Sequence, residues 1–142
     1  MFALSRSTQF DWRLARYDLA GSRANARALA AAGLLTTDEL TGLMTGLGTL
    51  DRQLATGELQ PADTDEDVHG SLERSLIELV GPDLGGRLRA GRSRNDQIAT
   101  LIRLYLRDTL RGIAAEVLTV IEAIQNQAEA HLGVAMPGRT HL

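Results

Sequence analysis

Three features of the 142-residue sequence predict an all-α protein. Apolar residues recur at three- and four-residue spacings in nearly every segment, the period of one helix face. The three Pro stand at segment borders, where they delimit helices instead of interrupting them. Aromatic residues make up only 4% of the chain, too few for the core of a β-sandwich or barrel or for base-stacking platforms.

The same composition bounds function. The length is that of one domain, or of one domain plus a piece of a second. Hydrophobic residues at 44% are ordinary for a globular protein. Lys and Arg total 15 against 18 Asp and Glu, a net charge of −3, so a nucleic-acid backbone is not an expected partner, although a local Arg cluster can hold a small anion. With no Cys, a disulfide scaffold and a thiolate metal site are excluded. No basic segment leads into a long apolar run, and no stretch reaches bilayer-spanning length. A soluble cytoplasmic protein without a membrane partner is the expectation.

The first helix is expected from Phe10 to Ala32, rich in Ala, Leu and Arg, with Gly33 as its stop. Thr36 and Glu39 then have capping-box spacing, each able to bond a backbone N–H of the other. Leu40, Leu43, Met44, Leu47, Leu50 and Leu54 follow at helical spacing until "ATGELQPADTD" breaks the run. A third helix should start near Asp65, carry Val68, Leu72, Leu76 and Val80 inward, and end at "GPDLGG". These helices can bury one another's apolar stripes, and none is expected to be stable alone.

From about Asn95 to His131 no Pro interrupts, and Ile98, Ile102, Tyr105, Ile113, Val117, Val120 and Ile124 keep the helical period. At 1.5 Å per residue this is a rod of about 50 Å. Its apolar stripe is too long for the preceding helices to cover. One reading is a solvent-bridging helix or coiled-coil dimer; the other is a bundle helix whose partners come from further sequence or other subunits, which the breadth of the stripe favours.

Three polar clusters carry candidate chemistry. "PDLGGRLRAGRSRNDQ" places Arg87, Arg89, Arg92 and Arg94 among Gly85, Gly86 and Gly91 just before the long helix. Glycines permit close backbone approach, Ser93, Asn95 and the first helix amides are donors, and guanidinium forks match a carboxylate. A carboxylate-bearing metabolite fits this pattern, and so does a charged linker without a ligand. The Gly-Lys-Ser/Thr ending of a nucleotide phosphate loop is absent. In "DTDEDVHGSLE", His69 and Glu73 are four apart on one helix face, so Glu73 can set the imidazole tautomer, while Asp65, Glu66 and Asp67 read as first-turn acids. A single His–carboxylate pair does not make a metal site, and no metal is expected. "PGRTHL" sets Thr140 and His141 after a Pro-Gly turn, where a side chain can be aimed into a cleft.

Taken together, "FDWRLARYDLAGSRANARALAAAGLLT", "DEDVHGSLE", "LRAGRSRNDQ" and "MPGRTHL", in this order and across essentially the whole chain, resemble the N-terminal part of the argininosuccinate lyase family of the fumarase/aspartase superfamily. "GRSRNDQ" is the most specific element. The resemblance implies an N-terminal helical domain over residues 1–92 and the truncated start of a central helical bundle over residues 93–142. It also implies a homotetramer in which three subunits share each active site. Residue by residue, it implies substrate binding by Ser7, Arg94, Asn95 and Thr140, catalysis by His141, and a supporting place near the site for His69, Glu73 and Arg89. Where many members have His-Thr, this chain has Arg89 and Ala90, a form similar to actinobacterial members; Asn25 and Arg139 also depart from the common pattern.

The implied reaction is cofactor-free β-elimination of argininosuccinate to arginine and fumarate. A base removes a proton beside a carboxylate, prearranged donors hold the resulting aci-carboxylate, and an acid protonates the leaving nitrogen. In the family the favoured base is a serine on a later loop, so this segment alone is not expected to turn over substrate. The rival reading is a noncatalytic helical module for oligomerisation, or a crystallin-like relative keeping the fold without the activity.

Overall fold

A computed structural model of the chain describes residues 5–141, and every regular element among them is helical. α1 spans Thr8–Asp11 and passes through a 3-10 turn, Trp12–Leu14, into α2, Ala15–Ala31. The expected first helix therefore exists but is not uniform: it tightens over Trp12–Leu14, where the Arg13 side chain bonds the Phe10 carbonyl at 2.9 Å. Gly33, at φ +75°, takes the left-handed conformation that ends α2.

α3, Thr37–Thr56, starts with the anticipated capping box: Thr36 Oγ1 accepts from Glu39 N at 3.2 Å, and Thr36 N donates to Glu39 Oε2 at 2.8 Å. α4 spans Val68–Val80. It begins later than Asp65 because Asp67 is its cap, accepting from Gly70 N at 2.6 Å. Asp65, Glu66 and Asp67 all precede the helix and are therefore not first-turn acids; Asp65 instead takes Arg74 in two bonds of 3.0 and 2.8 Å. "GPDLGG" is not a plain stop either: a short helix, α5, runs over Pro82–Arg87 with Pro at its first position, where no N–H is needed. α6 spans Arg94–Ala130, close to the expected rod.

The chain forms two compact units, one up to Tyr105 and one from Leu106. In the first unit, α2, α3 and α4 bury Leu19, Leu43, Leu47, Leu50, Val68 and Leu76 almost completely, so the stripes read from the sequence do face one another. Each such Leu contributes about 1.5–3 kcal/mol. The contact between α3 and α4 is close enough that a Cβ on Gly46 would lie 2.6 Å from Val80 Cγ1 and 2.9 Å from Leu76 Cδ1. α6 differs: of its residues only Leu101 is buried.

Candidate active site around Asp18 and the start of α6

On α2 the core-facing positions run Ala15, Asp18, Leu19, Ser22, Ala26 and Leu29, so a carboxylate stands in the apolar stripe. Asp18 is 2% exposed. At that depth a charge survives only with partners, and Asp18 draws them from three other parts of the fold. Ser22 Oγ donates to its Oδ1 at 3.0 Å. From α4, the ring Nδ1 of His69, itself 5% exposed, meets its Oδ2. From the first turn of α6, Gln97 Nε2 donates to the same oxygen at 2.7 Å. Arg92, in the turn before α6, lies 3.9 Å from Oδ1 and donates to Ser22 Oγ at 3.2 Å.

A small cleft opens beside this network, its polar wall formed by Asp18, His69, Glu73, Arg89, Arg92 and Arg94. Glu73 does not orient His69, as the four-residue spacing predicted; Asp18 does, because Glu73 Oε1 and Oε2 both accept from Arg89 at 3.1 and 3.0 Å. Of the four arginines in the Gly/Arg segment, Arg87 is likewise engaged, with Glu39 at 2.8 Å. Burial draws the Arg92 guanidinium below its ordinary pKa; Asp18 opposes that shift, and Arg94 and Arg89 reinforce it. Among the described residues no hydrogen bond or ion pair occupies the Arg94 side chain, which leaves its fork for an anion. Gly91, at φ +66°, turns the chain just before this run, and Asn95 sits exposed in the first turn of α6, its N–H bonded to Ser93 Oγ at 3.2 Å.

Ser7 is held by α1 and the approach to α4. Its N–H donates to the Glu66 carbonyl at 2.8 Å, and its Oγ donates to Asp11 Oδ2 at 2.6 Å, the oxygen that also accepts from Val68 N at 3.2 Å. Asn25 donates to the Leu88 carbonyl at 2.7 Å and so steadies the segment leading to Arg89. Thr140 and His141 belong to the second unit, where both are exposed and His141 adopts φ +63°.

The first unit thus brings His69, Glu73, Arg89 and Arg94 to one cleft. Asp18 and Gln97 carry no site signal of their own in the sequence, and Arg92 stands there only as one of the four clustered arginines. What the sequence does show is an Asp at a core position of an otherwise apolar helix face.

Residues 1–142 match the protein family described as Lyase. The chain belongs to the lyase family. Its all-helical architecture is the fumarase/aspartase-type fold of that family. The chain is 65% identical over its whole length to an argininosuccinate lyase of Kineococcus radiotolerans, covering 30% of that protein. It is 64% identical over 99% of its length to the argininosuccinate lyase of Renibacterium salmoninarum, and 63% identical over 98% to that of Thermobifida fusca. It spans about 30% of the length of these relatives. Among the described residues no helix is long and apolar enough to cross a membrane.

Proposed function

We propose that this chain is the N-terminal segment of an enzyme that cleaves argininosuccinate reversibly to arginine and fumarate, serving arginine biosynthesis in the cytoplasm. The observation that carries this reading is the unengaged Arg94 beside exposed Asn95, at the start of a long helix and next to a cleft, in a segment so similar to named argininosuccinate lyases. A guanidinium fork and an amide donor at a helix N-terminus match a substrate carboxylate. As negative charge moves onto that carboxylate during proton abstraction, the same donors strengthen their hold, which lowers the barrier.

Ser7 and Thr140 supply further hydroxyl contacts, and His141 moves or supports a proton. His69, Glu73 and Arg89 back the site. The domain limits follow the same reading: residues 1–92 form the N-terminal domain and residues 93–142 open the central bundle. A homotetramer, with each site drawn from three subunits, brings Thr140 and His141 to residues of other copies. The reaction uses no cofactor.

The test is steady-state fumarate release from argininosuccinate by the full-length protein. Asn95→Ala should raise KM and lower kcat/KM. His141→Asn should lower kcat by about 10² or more with a much smaller change in KM. A full-length protein that releases no fumarate would refute the activity and favour a noncatalytic helical module. A His141→Asn variant that keeps kcat within about threefold while remaining assembled would remove His141 from the proton path.

A further inference from the structure

We propose that Asp18 is a positioning residue for the substrate-holding pair: its buried carboxylate brackets Arg94 and Asn95 by gripping Arg92 on one side and Gln97 on the other. This rests on the reading of Arg94 and Asn95 as the groups that hold substrate. Arg92 lies two residues before Arg94, and Gln97 two residues after Asn95. Both are tied to the same Asp18, through the 2.7 Å bond from Gln97 and through Arg92, which approaches Oδ1 and bonds Ser22. The start of α6 and the turn before it are therefore anchored to α2 through Asp18 and its neighbour Ser22, and Arg94 and Asn95, which lie between the two anchors, inherit that placement.

The same carboxylate fixes His69. The ring's Nδ1 meets Asp18 Oδ2, so the orientation of the imidazole on α4 is set by a side chain of α2. A purely structural need at this position would be met at lower cost by an apolar side chain, since burying a charge among ionic partners is seldom the more stable solution. What an apolar residue could not do is collect a ring from α4, a turn and a helix start into one geometry.

The experiment uses the full-length protein and three variants: Gln97→Leu, Asp18→Asn and the double substitution. Gln97→Leu removes one donor and leaves the core intact; its KM for argininosuccinate should rise at least about fivefold, with any loss in kcat reporting donors that tighten around the reacting carboxylate. Asp18→Asn should raise KM as much and also lower kcat, because one amide oxygen replaces the two that serve His69, Gln97, Ser22 and Arg92. The double variant should be no worse in KM than Asp18→Asn alone, the mark of two groups acting through one link. Amide exchange over residues 92–98 should quicken at least about tenfold in each variant while that of α3 stays constant.

Should Asp18→Asn fail to fold, Gln97→Leu decides alone. KM and exchange over residues 92–98 within twofold of the unaltered protein would overturn the proposal, as would additive effects in the double variant. If the unaltered protein releases no fumarate, the proposed activity fails, and the exchange measurement still decides whether Asp18 holds the start of α6.

Discussion

Asp65 is 6% exposed, and the two bonds it receives from Arg74 set its acid behaviour. Those bonds hold its pKa at about 2, below the usual 3.8, with the Ala62 N–H adding to the effect and burial working against it. A carboxyl group whose pKa falls on folding stabilises the fold above its unfolded pKa and loses that contribution as pH drops through the folded value. The contribution of Asp65 should therefore be complete above pH 4 and fade between pH 4 and about 2. Discounted for the partly exposed Arg74, it amounts to about 1–2 kcal/mol. Asp65→Asn should cost that much at pH 7 and little near pH 2. Denaturant midpoints of both proteins across this range measure it, and a loss independent of pH would contradict the assignment.

At the scale of elements, α3 contains glycines whose roles differ by face. Gly46 lies against α4, where an added Cβ would meet Val80 and Leu76 at 2.6 and 2.9 Å, whereas at Gly48 the nearest atom is Arg52 Nη1 at 4.0 Å. Replacing a mid-helix Gly by Ala gains about 1 kcal/mol of helix propensity. At Gly48 nothing opposes that gain, so Gly48→Ala should raise Tm. At Gly46 overpacking of about 1–3 kcal/mol outweighs it, so Gly46→Ala should lower Tm. The opposite signs, read by thermal unfolding of the two full-length variants, test whether α3 and α4 pack as closely as described. Equal shifts in one direction would show that propensity alone governs both sites.

For the molecule as a whole, the long helix poses the assembly question. Leu106, Leu110, Ile113, Val117, Ile121 and Ile124 on α6 are all exposed, Leu110 and Ile124 at 63%. An apolar surface of this length is unusual on a monomer and marks a contact face, in keeping with the proposed homotetramer. Placing a charge in it should disrupt assembly: Ile113→Arg with Val117→Arg should convert the full-length oligomer into smaller species in sedimentation at micromolar concentration, with loss of fumarate release. An unaltered oligomer would mean that the stripe is covered in some other way.

The helical content, the Thr36–Glu39 capping box, the core stripe of Leu43, Leu47 and Leu50 and the extent of α6 were all legible in the sequence, because propensity, capping and period act over a few neighbouring residues. So was the resemblance carried by "GRSRNDQ", since it is a property of residue order. Other choices belonged to the tertiary structure. His69 could have taken its partner from Glu73, four residues away, but the packing of α2 against α4 presented Asp18 instead and gave Glu73 to Arg89. Asp65 reads as a first-turn acid, but Asp67 caps α4 two residues later and Asp65 goes to Arg74. A polar side chain with several eligible partners is assigned by whichever one the fold carries within about 3 Å, and that distance depends on residues more than fifty positions apart, as with Asp18 and His69.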